Sequence, residues 1–215
     1  MPKFPEPPPV ETLRSLGPRP YTLLPGTGIW RICMRGGLHP VAWNEFRHWG
    51  PVKAGRFDHH LPPPRLQTRG ILYAATRIAT CVAEVFQGGR TIDVMVNQPW
   101  LAGFTVEAPL QLLDLTGTWP TAAGASMAIN SGLRARAQRW ARAIYSAYPD
   151  VAGLWYASSM YANHPAVALF ERAQHALADE PSFYRPLSDP ALLDDLVAIA
   201  HTLQYKFILP QRQPG

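Results

Sequence analysis

The stretch Gly70-Ile71-Leu72-Tyr73-Ala74-Ala75-Thr76-Arg77-Ile78-Ala79-Thr80-Cys81-Val82-Ala83-Glu84-Val85-Phe86-Gln87-Gly88-Gly89 decides how this chain is built. Gly70–Ala74 is a short apolar run and reads as a buried strand. Within Thr76–Gln87 the apolar residues Ile78, Val82, Val85 and Phe86 recur at helical spacing, and Gly88-Gly89 stops that helix. Two residues are out of place in this pattern. Tyr73 ends an apolar strand, and Glu84 sits among Cys81, Val82, Ala83, Val85 and Phe86. A carboxylate in such a run is shielded from water, so it needs a partner or a chemical task.

Working outward, Thr91–Val96, with Ile92, Val94 and Val96 alternating, and Leu110–Leu115 are candidate strands. Asn130 or Ser131 is expected to cap an amphipathic helix over 131–145. One face of that helix carries Leu133, Ala137, Trp140, Ala141 and Ile144; Arg134, Arg136, Arg139 and Arg142 lie elsewhere on it. Gly153–Ser158 reads as a strand, Ala166–Phe170 as a strand or a helix. Asp189-Pro190 opens a last helix carrying Leu193, Leu196, Val197, Ala200 and Leu203. Upstream, Leu61-Pro62-Pro63-Pro64-Arg65 cannot be a central strand, because three prolines remove three donors. The aromatics Trp30, Trp43, Phe46, Trp49 and Phe57 are expected to seal a loop-rich region. Residues 1–28 contain eight prolines and read as an arm that either drapes over the domain or is partly disordered. The organisation expected is a proline-rich arm over 1–28 and one α+β domain over 29–215, with short mixed strands and peripheral helices.

Composition sets the outer limits. The chain has 215 residues, 47% hydrophobic and only 16% charged, which is enough apolar material for a sizeable core and too little charge for disorder by self-repulsion. Twenty-three prolines and sixteen glycines argue against an all-helical bundle. No apolar run reaches the ~18 residues that span a bilayer. The first nine residues carry no hydrophobic segment of a secretory signal, and the two cysteines, Cys33 and Cys81, fit a reducing compartment; a cytoplasmic protein is expected. The net charge of +5 comes mostly from arginine, since only Lys3, Lys53 and Lys206 are lysines. Arginine's planar fork suits phosphate, so nucleic acid and a small polyanion both remain in view.

Several chemistries are absent as motifs: there is no GxxxxGK[ST], GxGxxG, HExxH, GxSxG or CxxC. The adjacent pair His59-His60 diverges on any regular backbone, so no metal site is expected. The four helix arginines have no aromatic or glycine-rich RNA motif beside them and read as a solvated face rather than a nucleic-acid surface. What remains is a set of isolated polar residues: Arg31 between Trp30 and Ile32, Arg56 between Gly55 and Phe57, then Tyr73 and Glu84. They allow two readings. One is a structural Arg–Glu pair. The other is a pocket with arginine forks for phosphates, an aromatic face for stacking and a carboxylate for a developing positive charge, as cleavage of a dinucleotide's N-glycosidic bond requires.

The order Trp30-Arg31-Ile32, Gly55-Arg56-Phe57, Gly70-Ile71-Leu72-Tyr73-Ala74-Ala75 and Ala83-Glu84-Val85 resembles the RES-domain family. Asn130-Ser131-Gly132 with Trp140-Ala141 is similar to its serine segment, and Ala168-Leu169-Phe170-Glu171-Arg172 to a late core strand, so the likeness runs over about residues 29–172. Where the family usually has Gly-Gly-Arg-Trp-Asn, this chain has Ala54-Gly55-Arg56-Phe57-Asp58. The resemblance implies an ADP-ribosyltransferase-like fold around an NAD cleft. It implies a bacterial toxin that depletes NAD by phosphorolysis or hydrolysis, with protein mono-ADP-ribosylation as the alternative. NAD would be substrate, with inorganic phosphate as co-substrate in phosphorolysis and no cofactor or metal. The partner implied is an Xre-like antitoxin; the assembly implied is a homodimer or a toxin–antitoxin hetero-oligomer, without direct nucleic-acid or membrane contact. It also implies that Arg31 and Arg56 hold the pyrophosphate or an incoming phosphate, Tyr73 stacks on nicotinamide or ribose, and Glu84 faces the oxocarbenium-like transition state. Ser131 serves the ribose or phosphate, with Ser158 and Ser159 as alternatives and Ser159 a further binding residue.

Overall fold

The computed structural model describes residues 3–208. In chain order the elements are α1 (Val10–Leu16), β1 (Pro20–Leu23), β2 (Gly28–Met34), β3 (Arg47–Gly50), β4 (Arg65–Ala75), α2 (Ile78–Val85), β5 (Thr91–Asp93), β6 (Pro99–Thr105) and β7 (Leu110–Asp114). They continue with α3 (Trp119–Ala122), α4 (Arg134–Ala147), β8 (Gly153–Ala157), β9 (Pro165–Phe170), β10 (Phe183–Pro186), α5 (Pro190–Leu203) and β11 (Lys206–Ile208). Short 3-10 turns at Met127–Asn130 and Glu171–Ala176 complete an α+β architecture.

Among the described residues nine strands form the main sheet, in the order β1-β7-β8-β9-β4-β2-β6-β10 with β3 paired on β4; β11 and β5 form a separate parallel pair. Within the main sheet β7 and β8 are parallel and the other pairings antiparallel. Both faces of its centre are buried. Ile71, Leu154, Ala168 and Phe170 point into a core shared with Trp140 and Ile144 of α4, while Leu72, Trp155, Val167 and Leu169 point into a second core with Leu23, Trp43, Phe46 and Phe104. Alternate side chains must point to opposite faces, so strands apolar on both read as continuous hydrophobic runs. That is why Gly153–Ala157 and Pro165–Phe170 stand out in the sequence, and the second is a strand, not a helix.

The start of α4 departs from the local pattern. Leu133, not Asn130 or Ser131, precedes the helix, and no side chain caps it. Asn130 instead points inward and donates to the Leu115 carbonyl at 2.9 Å, while Ser131 closes the preceding 3-10 turn. The α4 arginines form a solvated face only in part: Arg134 and Arg139 are exposed, Arg136 and Arg142 half-buried. Arg136 and Arg139 pair with Glu6, Arg136 also donates to the Phe4 carbonyl, and the Trp140 indole donates to the Pro5 carbonyl at 2.9 Å. Phe4 is buried against Trp140, Leu13 of α1 is buried, and β1 pairs with β7. The first segment thus drapes over the domain as packed structure. Trp140 is fully buried, and Trp140→Ala should cost about 3–5 kcal/mol.

The strand predicted over Thr91–Val96 stops at Asp93, because the Asp93 carboxylate accepts the Met95 and Val96 N–H groups and turns the chain. β4 runs further back than Gly70, to Arg65, because β3 supplies a partner there. α5 starts as predicted: Asp189 accepts the Ala191 N–H, with Pro190 in the first turn.

Candidate functional site

The cleft opens where the main sheet divides. β2 and β4 share one paired position, Trp30 opposite Ala75. Beyond it the strands part, and Arg31 and Ile32 on β2 with Ile71 and Tyr73 on β4 line a hollow of about 280 Å³. A second hollow of about 290 Å³ adjoins it, lined by Val52, Gly55, Arg56, Gln87, Arg134 and Ser159 among others. Arg47, Tyr73, Glu84, Val85 and Tyr156 line both. Both hollows are mostly apolar; the first has Val41, Ala74 and Ala75 in its wall and carries Arg31, the second carries Arg56 and Arg134. Each lies near the lower end of the ~300–1,000 Å³ typical of ligand sites.

Glu84 lies in the last turn of α2, at the junction. Ser158, fully buried just after β8, accepts the Met160 and Tyr161 N–H groups on its Oγ, both at 3.2 Å. Its own hydrogen therefore goes to Glu84 Oε1, 2.6 Å away. Gln87 Nε2 lies 3.3 Å from Oε2. Among the described residues no cation forms a salt bridge with Glu84. The structural Arg–Glu pair is thus not what holds this carboxylate. Neutral donors hold it, with open cleft on both sides.

Tyr73 accepts the Phe57 N–H at 3.1 Å through its hydroxyl. Burial, and then the negative charge of Asp58, hold that phenol well above its ordinary value, so it stays protonated. Tyr156, edge-on to Phe57, is pushed up likewise, by burial first and then by Glu84.

The arginines are less free than their sequence positions suggest. Arg31 Nη1 donates to the carbonyls of Ala42, Trp43 and Glu45 at 3.3, 2.6 and 2.9 Å, tying the 42–45 loop to the cleft wall. Burial lowers its pKa to about 10, and it remains charged at neutral pH. Arg56 donates to the Gly132 carbonyl at 2.7 Å, and its pKa is lowered by burial and by the nearby Arg134. The two arginines line different hollows.

Around one cleft, then, the fold gathers Arg31, Arg56, Tyr73, Glu84 and Ser159. It leaves Ser131 outside. Ser131 is exposed, lines neither hollow and offers only its backbone carbonyl, 3.5 Å from Arg56 Nη2. The serine beside Glu84 is Ser158. Sequence reasoning also missed Arg47 and Tyr156. Arg47 lies between Phe46 and His48 in an aromatic stretch, the same sign that singled out Arg31. Tyr156 is a polar ring inside the apolar run Gly153–Ala157.

His59 and His60, predicted not to share a metal, are both fully buried. They face different carboxylates: His60 Nδ1 lies 2.5 Å from Asp58, His59 Nε2 3.6 Å from Glu171.

The sheet parted over Glu84, with arginines on the walls, makes this an α+β domain with a cleft built beside one carboxylate. The RES domain family model matches residues 29–190, and the chain belongs to the RES domain family. Its fold is similar to that of a chain in the crystal structure of the M. tuberculosis MbcT–MbcA toxin–antitoxin complex, with a TM-score of 0.56 and 19% identity over 88% of this chain and 96% of that one. No curated protein matches the sequence. Among the described residues no helix is long and apolar enough to cross a membrane.

Proposed function

We propose that this chain cleaves the bond between nicotinamide nitrogen and ribose C1′ in NAD. The observation that carries the reading is the position of Glu84, fixed by the Ser158 hydroxyl at 2.6 Å, without a cation partner among the described residues, where a hollow with Val41, Ala74 and Ala75 in its wall and Arg31 on one side meets one carrying Arg56 and Arg134. Nicotinamide enters the first hollow against Tyr73, and the phosphates lie toward Arg56 and Arg134. As the C–N bond breaks, its electron pair leaves with nicotinamide and positive charge grows on the ribose. An oriented anion stabilises that charge most where it develops, and does so strongly in a site with little water. Water or inorganic phosphate then bonds to C1′; with water, the proton passes to Glu84. NAD is consumed as substrate, and no cofactor is needed.

The likeness to a chain of a toxin–antitoxin complex and the RES family membership support a wider reading: a cytoplasmic toxin, restrained by an antitoxin of Xre-like type. The test is to incubate purified chain with NAD, with and without inorganic phosphate, and follow the products by chromatography. The reading expects nicotinamide release. ADP-ribose-1″-phosphate identifies a phosphorylase, free ADP-ribose a glycohydrolase, and label from NAD left on an added protein a transferase. Intact NAD under all three conditions rules the reading out.

A further inference from the structure

Among the described residues Arg47 on β3 is the one arginine lining both hollows, and its side chain is about a quarter exposed, at 27%. Its setting differs from that of its neighbours, since it is held by a carboxylate as well as by backbone. Nη2 donates to Asp58 Oδ2 at 2.8 Å, and Nη1 donates to the Trp49 carbonyl. Asp58 is fully buried, and both its oxygens are engaged. Oδ2 also accepts the Val52 N–H at 2.7 Å; Oδ1 accepts from His60 Nδ1 at 2.5 Å and from the His60 N–H at 3.2 Å. A buried carboxylate persists only when paired and hydrogen-bonded, and this one has no room to swing. Gly50 leaves room for this group: a Cβ there would lie 2.6 Å from His60 Nδ1 and 2.9 Å from Arg47 Nη1.

A guanidinium has five N–H donors, and the two acceptors named leave three without a protein acceptor among the described residues, on a side chain that lines both hollows. Asp58 cancels the net charge of the pair, so Arg47 supplies fixed hydrogen bonds while Arg56 and Arg134 supply the positive field. We propose that Arg47 meets a phosphoryl oxygen of the bound dinucleotide beside Glu84, and that Asp58, backed by His60, is the positioning residue that aims it. This rests on the NAD reading above.

The experiment is calorimetric titration of the full chain with ADP-ribose, and separately with nicotinamide, which carries no phosphate. Arg47→Met should weaken ADP-ribose by about tenfold to a hundredfold, the range for charge-assisted hydrogen bonds, and leave nicotinamide unchanged. Arg47→Lys, which keeps charge but not the fork, should recover part of the loss, and it decides the matter if Arg47→Met fails to fold by circular dichroism. Asp58→Asn should weaken ADP-ribose severalfold, and Asp58→Asn with Arg47→Met should bind no worse than Arg47→Met alone, because the first acts through the second. Wild-type affinity in Arg47→Met, equal losses for both ligands, or additive losses in the double variant would each overturn the inference and leave the NAD reading standing. A wild-type chain that binds no ADP-ribose overturns both.

Discussion

Two glutamates, each set in apolar surroundings, have opposite fates. Glu171, directly after β9, accepts the Gly70 N–H at 2.8 Å and the Tyr145 hydroxyl, with the His59 ring edge at 3.6 Å. Arg69 and Arg172 lie over the Tyr145 ring, at 4.5 and 3.8 Å from its centre. Burial alone would raise Glu171, but His59, Gly70 and Tyr145 outweigh it and hold the carboxyl down to about 2. Glu84 has a serine and an amide as donors and borders open space. A carboxylate whose lone pairs are taken up by structural donors serves the fold. One anchored by a single strong donor, beside a cavity, is free to face a ligand's charge.

The widest separation between the two should come from Glu84→Gln. Loss of the anion should lower NAD cleavage by about a thousandfold or more, with thermal stability within a few degrees of wild type. Turnover near wild type would erase the distinction. Glu171→Ala should do the reverse, costing about 2–4 kcal/mol in urea unfolding by orphaning buried donors, while the folded fraction keeps its kcat.

Acid should act on the Glu171 neighbourhood too. Burial holds His59 down to about 4 from its ordinary 6.5. Below 6.5 the unfolded chain takes up a proton there that the folded chain refuses, so stability is full above pH 6.5 and falls as pH drops toward 4. Glu171 extends the loss between its ordinary 4.5 and about 2. The His59 part should amount to about 3 kcal/mol by pH 4, and His59→Asn should flatten the slope between pH 6.5 and 4. A stability flat over that range in the wild type would show that His59 accepts its proton without penalty. The smallest effect sharpens the Glu84 side: Ser158→Ala should lower kcat about tenfold, while Ser131→Ala leaves it unchanged. The opposite ranking would return the site to Ser131.

Much of this was legible locally. The strand and helix across Gly70–Gln87 follow from apolar spacing, and α5 from Asp189-Pro190, because those signals act over one or two turns. Glu84 and Arg31 were visible as charges inside apolar text. The cap of α4 is not legible in the sequence: Asn130 and Ser131 have good capping chemistry, and only the approach of Leu115 draws Asn130 inward. Arg47 was passed over because its partner Asp58 lies in a loop, outside any periodic pattern.

By itself, then, the sequence determined an α+β chain, its main helices and central strands, the carboxylate at 84 and the likeness to the RES family. Those rest on short-range periodicity and on motif order, which survive in one dimension. Tertiary structure alone decided which serine meets Glu84, 74 positions away, that Arg136 and Arg139 pair with Glu6 of the first segment, and that Arg47 lines both hollows of the cleft. Such contacts depend on where the sheet parts between β2 and β4, and strand pairing over long separations leaves no local mark on the residues it brings together.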